Sequence, residues 1–164
     1  MRLLLDADGV IKLHRAGLLN LVIGTFSCTV PEPVFDEVVT KAKARLHRDA
    51  DAIEAILAES DAVRPAGPQQ QVESGLGAGE LGVLTVLASD QEAIVVSDDR
   101  RFLAVLKARG ARSITPADLL TVLWRRDVLS TDEAKGALER LRPMIRSAAY
   151  WEARDELSRE VKKK

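Results

Sequence analysis

The sequence predicts an α/β protein, a parallel sheet flanked by helices. Two observations carry that expectation. The short apolar runs Leu3-Leu4-Leu5 and Ala93-Ile94-Val95-Val96 each stop abruptly near acid, at Asp6 and at Asp98-Asp99. Runs of that length without alternation read as strands buried on both faces, the habit of parallel sheets. Between and after them lie stretches with helical apolar spacing, and strands alternating with helices wind a parallel sheet doubly. Ligands of such sheets sit beyond the carboxyl ends of the strands, so Asp6 falls where chemistry is usually done.

The 164 residues are read as one domain over 1–164, with a C-terminal helical extension from about 130. With 46% hydrophobic and 30% charged residues and a formal net charge of −1, the chain has no global basic field. A nucleic-acid substrate would have to be held by local positive charge or by metal. Cys28 is the only cysteine, which excludes an intramolecular disulfide and a Cys-rich zinc site. No signal-peptide core and no apolar run of membrane-spanning length is present, so a cytoplasmic setting without membrane is the expectation.

In order, residues 2–6 form the first strand. Apolar residues from Val10 to Val22 predict a helix, or a helix pair broken near Gly17. Phe26 to Val30 is the second strand candidate. Pro33 starts a helix carrying Val34, Phe35, Val38, Val39 and Ala42, and residues 48–57 form another with Ala52, Ile53, Ile56 and Leu57 on one face. Residues 60–78 read as loop, including Pro68 and Gln69 to Gln71, with a short strand near Val63. Gly79-Glu80 opens a helix whose apolar stripe is Leu81, Leu84, Leu87 and Ala88. Ala93 to Ser97 is the clearest buried strand, followed by a helix that Gly110 ends. Ser113-Ile114 is a last strand. Thr115-Pro116, Ser130-Thr131 and residues 148–164 begin or form three further helices.

Acids stand at the ends of these elements: Asp6, Glu37, Glu80, and Asp98 with Asp99. Glu80 shares a face with Leu84 and Leu87, which aims it along the apolar stripe toward the sheet edge. Carboxylates gathered near a core repel one another, and a hard divalent cation removes that cost. Mg²⁺ and Mn²⁺ take carboxylate and water oxygens, and two ions about 4 Å apart clamp both oxygens in phosphodiester hydrolysis. Plainer roles exist for most of these acids. Asp99 could cap the next helix, Glu80 could serve the helix dipole and Glu37 could pair with Lys41. Capping does not account for Asp6 on this reading, because Asp8 is the better cap. Arg100 and Arg101, with Lys107 and Arg109, are either a solvated face or phosphate contacts beside the metal. His14 and His47 read as surface, and Trp124, Tyr150 and Trp151 as core or partner contacts.

The stretches LLLDADGVIKL (3–13), VPEPVFDEVV (30–39), GAGELGVLTVL (77–87) and VVSDDRRFLAVLKARG (95–110) resemble, in that order, the motifs of PIN-domain proteins. The tail from Ile114 to Pro143 resembles the tails of PIN-like prokaryotic proteins. The resemblance implies a metal-dependent ribonuclease using Mg²⁺ or Mn²⁺, with Asp6, Glu37, Glu80 and Asp99 catalytic. Asp6, Glu80, Asp99 and alternatively Asp98 would be metal ligands, with Arg100 and Arg101 on the substrate. It implies an RNA substrate and, as in VapC-type toxins, an antitoxin partner and a homodimer. Asp8 stands where many members have Asn, Ala7 where many have Thr or Ser, and Glu80 where toxins more often carry Asp.

Asp6-Ala7-Asp8-Gly9-Val10 also resembles the opening of haloacid-dehalogenase-type phosphatases, which would make Asp6 a nucleophile, Asp8 an acid/base and Mg²⁺ the cofactor. That family's usual later acid is replaced near Phe102 and Leu103, its lysine is missing from residues 79–96, and Glu37 and Glu80 are left without a role. A third reading keeps the fold as a binding module that cuts nothing.

Overall fold

The computed structural model describes residues 1–67 and 75–161. Residues 68–74 of the expected 60–78 loop and the terminal lysines 162–164 lie outside the described residues. Five strands, β1 (Arg2–Leu5), β2 (Ser27–Pro31), β3 (Val63–Arg64), β4 (Ile94–Val96) and β5 (Arg112–Ile114), form one sheet in the order β3-β2-β1-β4-β5. Every neighbouring pair is parallel, and Leu4 at the centre stands opposite both Thr29 and Val95. Leu3, Leu4, Leu5, Val95 and Val96 are buried, as strands covered by helices on both faces must be.

Ten α-helices among the described residues surround it: α1 (Ala7–Arg15), α2 (Leu19–Thr25), α3 (Glu32–Phe35), α4 (Ala42–Ala44), α5 (Ala50–Ala58), α6 (Ala78–Ser89), α7 (Arg100–Ala108), α8 (Pro116–Arg125), α9 (Thr131–Leu141) and α10 (Ser147–Val161). Strands run outward from β1 to β3, and the chain then returns to lay β4 on the other side of β1. The order therefore reverses between β1 and β4. A crevice opens at such a switch point, and Asp6 and Asp98-Asp99 leave the two strands that flank it.

Local chemistry explains most boundaries. Thr115 caps α8 with Pro116 in its first turn, and Ser130 and Glu133 form a reciprocal cap on α9. The helix pair expected near Gly17 is present. Gly17 has φ +74°, with Leu18 N–H donating to Leu13 O and Gly17 N–H to His14 O, a Schellman end. Gly110 ends α7 in the same way. Trp124 and Tyr150 are core, while Trp151 is exposed beneath Arg154.

Two features depart from expectation. The helix after Pro33 is not uniform: residues Asp36–Lys41 wind as a π-helix between α3 and α4. The buried face of α6 is Gly79, Gly82, Val83 and Leu87, whereas Leu81 and Leu84 are only partly buried and Ala88 is exposed. The cause is close helix packing. A Cβ on Gly82 would lie 3.1 Å from Pro33 Cγ and 3.3 Å from Pro31 Cβ, so α6 turns Gly82, rather than Leu81 or Leu84, onto α3 and β2.

Candidate active site

Asp6 is the N-cap of α1. Its Oδ1 accepts from Gly9 N–H at 2.6 Å. This corrects the expectation that Asp8 would cap and that capping would not involve Asp6. Gly9 makes the arrangement possible, because any Cβ there would collide with the Val96 carbonyl oxygen at the end of β4. The first turn of α1 thus rests on β4, which brings Asp6 beside Ser97. Asp6 is 4% exposed, and no Lys, Arg or His stands within salt-bridge distance of it among the described residues. Burial pushes its carboxyl up to about 7. Hydrogen bonds from the Ser97 hydroxyl and Gly9 N–H oppose that rise, and the charges of Asp8 and Asp99 add to it.

Asp99 is exposed and caps α7, accepting from Phe102 N–H at 2.8 Å. Asp98, its neighbour, is only 6% exposed and is supplied with cations. Lys12 Nζ lies 3.3 Å from Asp98 Oδ2 and 2.9 Å from Asp8 Oδ1, and Arg146 Nε lies 3.6 Å from Asp98 Oδ1. Asp8 also accepts the Asp98 backbone N–H at 2.9 Å. Lys12 and Arg146 were missing from the sequence reading. The four-residue spacing of Asp8 and Lys12 is a signal that could have found one; nothing local marks Arg146, which arrives from the turn between α9 and α10.

Glu37 and Glu80 form a second acidic pair. Glu37 belongs to the π segment and Glu80 to the first turn of α6. Glu37 Oε2 lies against Gly79, where an added Cβ would be 2.6 Å from it. Desolvation raises the Glu37 carboxyl and Glu80 pushes the same way, while Lys41 and Arg45 pull it down. Lys41 itself makes its ion pair with Asp36, at 3.4 Å, not with Glu37. Glu80 folds back to accept Gly77 N–H at 2.8 Å, so it caps α6 instead of pointing along the leucine stripe. Arg101 donates to the Gly75 carbonyl and stands 3.8 Å from Glu80 Oε2, tying α7 to the start of α6. Arg100 is exposed. Burial pushes the Cys28 thiol up to about 12.

The donor set is all oxygen, which suits Mg²⁺ or Mn²⁺. Among the described residues, no three His, Cys, Asp or Glu side chains converge to hold an ion unaided. Asp6, buried with like charge around it and no cation, is the acid whose electrostatics ask for one.

Fold and site together define a class: a doubly wound α/β protein with an uncompensated carboxylate at its topological switch point. Its family follows from comparison with known proteins. A family model described as a PIN domain matches residues 2–162, and the chain belongs to the PIN-domain family. No curated protein and no solved structure matches it. PIN domains are generally nucleases and generally use divalent metal ions. This membership decides between the two resemblances of the opening motif. The phosphatase reading also needs Asp8 as acid/base, and Asp8 is committed to Lys12 and the Asp98 N–H.

Proposed function

We propose that this protein is a ribonuclease that hydrolyses phosphodiester bonds of single-stranded RNA with Mg²⁺ or Mn²⁺. The observation that carries the reading is Asp6, a carboxyl buried where the strand order reverses, with no counter-cation among the described residues. A bound divalent ion supplies the missing positive charge and lowers the pKa of water. Asp6 and Asp99 would hold it, directly or through water, with Glu80 and Glu37 at the neighbouring helix ends. Asp98 is left out of that set, because Lys12 and Arg146 already neutralise it. The Ser97 hydroxyl and Gly9 N–H fix the Asp6 carboxyl in place. Arg100 and Arg101 would take phosphate oxygens of the strand. Attack of water on phosphorus leaves a phosphate-terminated fragment and needs no covalent enzyme intermediate.

The test is a labelled single-stranded RNA incubated with the purified protein in EDTA, Mg²⁺ or Mn²⁺. Cleavage is expected with either ion, none in EDTA, and none with folded Asp6→Asn. Undiminished cleavage by Asp6→Asn would remove Asp6 from the chemistry. RNA binding without any metal-stimulated product would make the protein a binding module. Expression in a host reads the biological role: growth arrest relieved by a co-expressed neighbouring gene identifies a toxin with its antitoxin, and unchanged growth removes that role. The mass of the purified protein in solution tests the homodimer.

A further inference from the structure

A cleft of about 200 Å³ lies between α1, the π segment and α5. Ile11, Val38, Ala42 and Ile53 give it apolar walls; Arg45, His47, Glu37 and the Arg15–Asp49 ion pair line it as well. The cleft therefore adjoins the acidic pair through Glu37. Its volume is well under the roughly 300–1,000 Å³ of pockets that enclose a drug-sized ligand. It has room for one flat ring system, not for a whole nucleotide.

The segment bordering the cleft is the most basic stretch of a chain whose net charge is −1. Residues 41–48, Lys41-Ala42-Lys43-Ala44-Arg45-Leu46-His47-Arg48, hold four permanent cations and no acid. Two of these cations are occupied: Lys41 by Asp36, Lys43 by Asp51 and Glu54. Arg45 and Arg48 are exposed, and no acid lies within salt-bridge distance of either among the described residues. Between Arg45 and His47, Leu46 has φ +57° and is 89% exposed. A bulky residue in the left-handed region is an outlier, and such strain gathers at functional sites. A π-helix, also common at such sites, forms one wall.

We propose that this cleft is a single-base subsite. It receives one unstacked nucleobase of a single-stranded RNA, and Arg45 and Arg48 take the phosphates that flank that base. The proposal rests on the ribonuclease reading and adds where the strand is gripped. An exposed arginine lining a slot with apolar walls, and a second three residues on in the same basic segment, match the way single strands are held, by phosphate contacts and base stacking. An apolar side chain from a protein partner would fill the walls but leave both arginines unanswered.

The test is binding without cleavage. Anisotropy of a short fluorescein-labelled single-stranded RNA is measured in EDTA, beside an abasic strand of equal length. The wild-type protein is expected to prefer the RNA over the abasic strand by about tenfold, the order of one stacked base. Ala42→Phe fills the cleft and is expected to abolish that preference. Arg45→Ala with Arg48→Ala, both exposed and safe for folding, is expected to weaken both strands and flatten the salt dependence by about two charges. Circular dichroism checks each fold. An unchanged preference in folded Ala42→Phe overturns the base subsite and leaves the cleft to a protein side chain. Unchanged salt dependence in the arginine double variant overturns the phosphate grip. If the wild type cleaves RNA while both variants behave as wild type, only this inference fails; if the wild type neither binds nor cleaves RNA, the ribonuclease reading fails with it.

Discussion

Asp6 and Asp98 end neighbouring strands, and both are almost fully buried, at 4% and 6% exposure. They differ in what surrounds the charge. Asp98 has Lys12 at 3.3 Å and Arg146 at 3.6 Å. Asp6 has two hydrogen-bond donors and, as neighbours, the charges of Asp8 and Asp99. A buried charge that the protein neutralises itself is a structural feature, because loss of one partner exposes the other to the full cost of burial. A buried acid left without a cation stores unfavourable energy that only a proton or an added cation relieves. One strand edge thus carries an ion-pair network and, beside it, a buried acid with no cation within salt-bridge distance among the described residues.

The comparison breaks first at Asp6. Asp6→Asn keeps the N-cap, since Asn caps as well as Asp, and is expected to lower metal-stimulated RNA cleavage by at least about 100-fold, the upper range for losing even an outer-shell partner of a metal. Its stability should move the opposite way. The folded carboxyl titrates near 7, well above its ordinary 3.8, so the folded state holds a proton that the unfolded chain gives up. Stability from this group is complete below about pH 4 and is lost as pH rises through 7. Metal-free Asp6→Asn is therefore expected to be more stable than wild type at pH 8, by up to a few kcal/mol, with the difference vanishing near pH 4. Urea unfolding across that range checks it; equal stability at pH 8 would mean Asp6 is not strained.

Lys12→Met probes the other side. It strands Asp98 and Asp8 without their shared cation and is expected to cost about 3 kcal/mol, as for a broken buried pair, read by the same unfolding curves. A loss under about 1 kcal/mol would place Lys12 among ordinary surface pairs.

Manganese should act chiefly through Asp6, the buried member of the acids proposed to hold it. At about 100 times its dissociation constant it is expected to stabilise the protein by roughly 2.7 kcal/mol at pH 8 and by less at pH 5, where a proton competes for the carboxyl. Melting curves with and without Mn²⁺ measure both, and an equal shift at the two pH values would point to ligands other than Asp6.

The smallest effect concerns Leu46. It holds the left-handed position of a Schellman end, with His47 N–H donating to Ala42 O and Leu46 N–H to Lys43 O, both at 2.9 Å. Gly17 and Gly110 fill the same position elsewhere. Leu46→Gly is expected to stabilise by about 1 kcal/mol. No gain would show that the leucine is held by contacts beyond its own turn.

Much of this molecule was readable from its residues. Three leucines before Asp6, and Ile94-Val95-Val96 before Asp98, are apolar on both faces, so a parallel sheet with acids at one edge follows from burial alone. Gly17, Gly110, Thr115-Pro116 and Ser130 set helix ends through backbone chemistry that acts over a few residues. Which face α6 buries was not readable, because leucines outvote glycines in any pattern of hydrophobicity; the choice came from the prolines of β2 and α3, which leave only tight room for a Cβ at Gly82. The capping role of Asp6 was hidden for a similar reason, since it depends on Gly9 lying against Val96 in a strand that comes far later in the chain.

By itself, then, the sequence determined the strand and helix pattern and the presence of acids at strand and helix ends, because those depend on local burial and turn chemistry. Only the tertiary structure decided how the acids divide. It placed Lys12 and Arg146 against Asp98 and, among the described residues, no cation against Asp6, and electrostatic energy depends on distances between side chains that the order of residues along the chain does not contain.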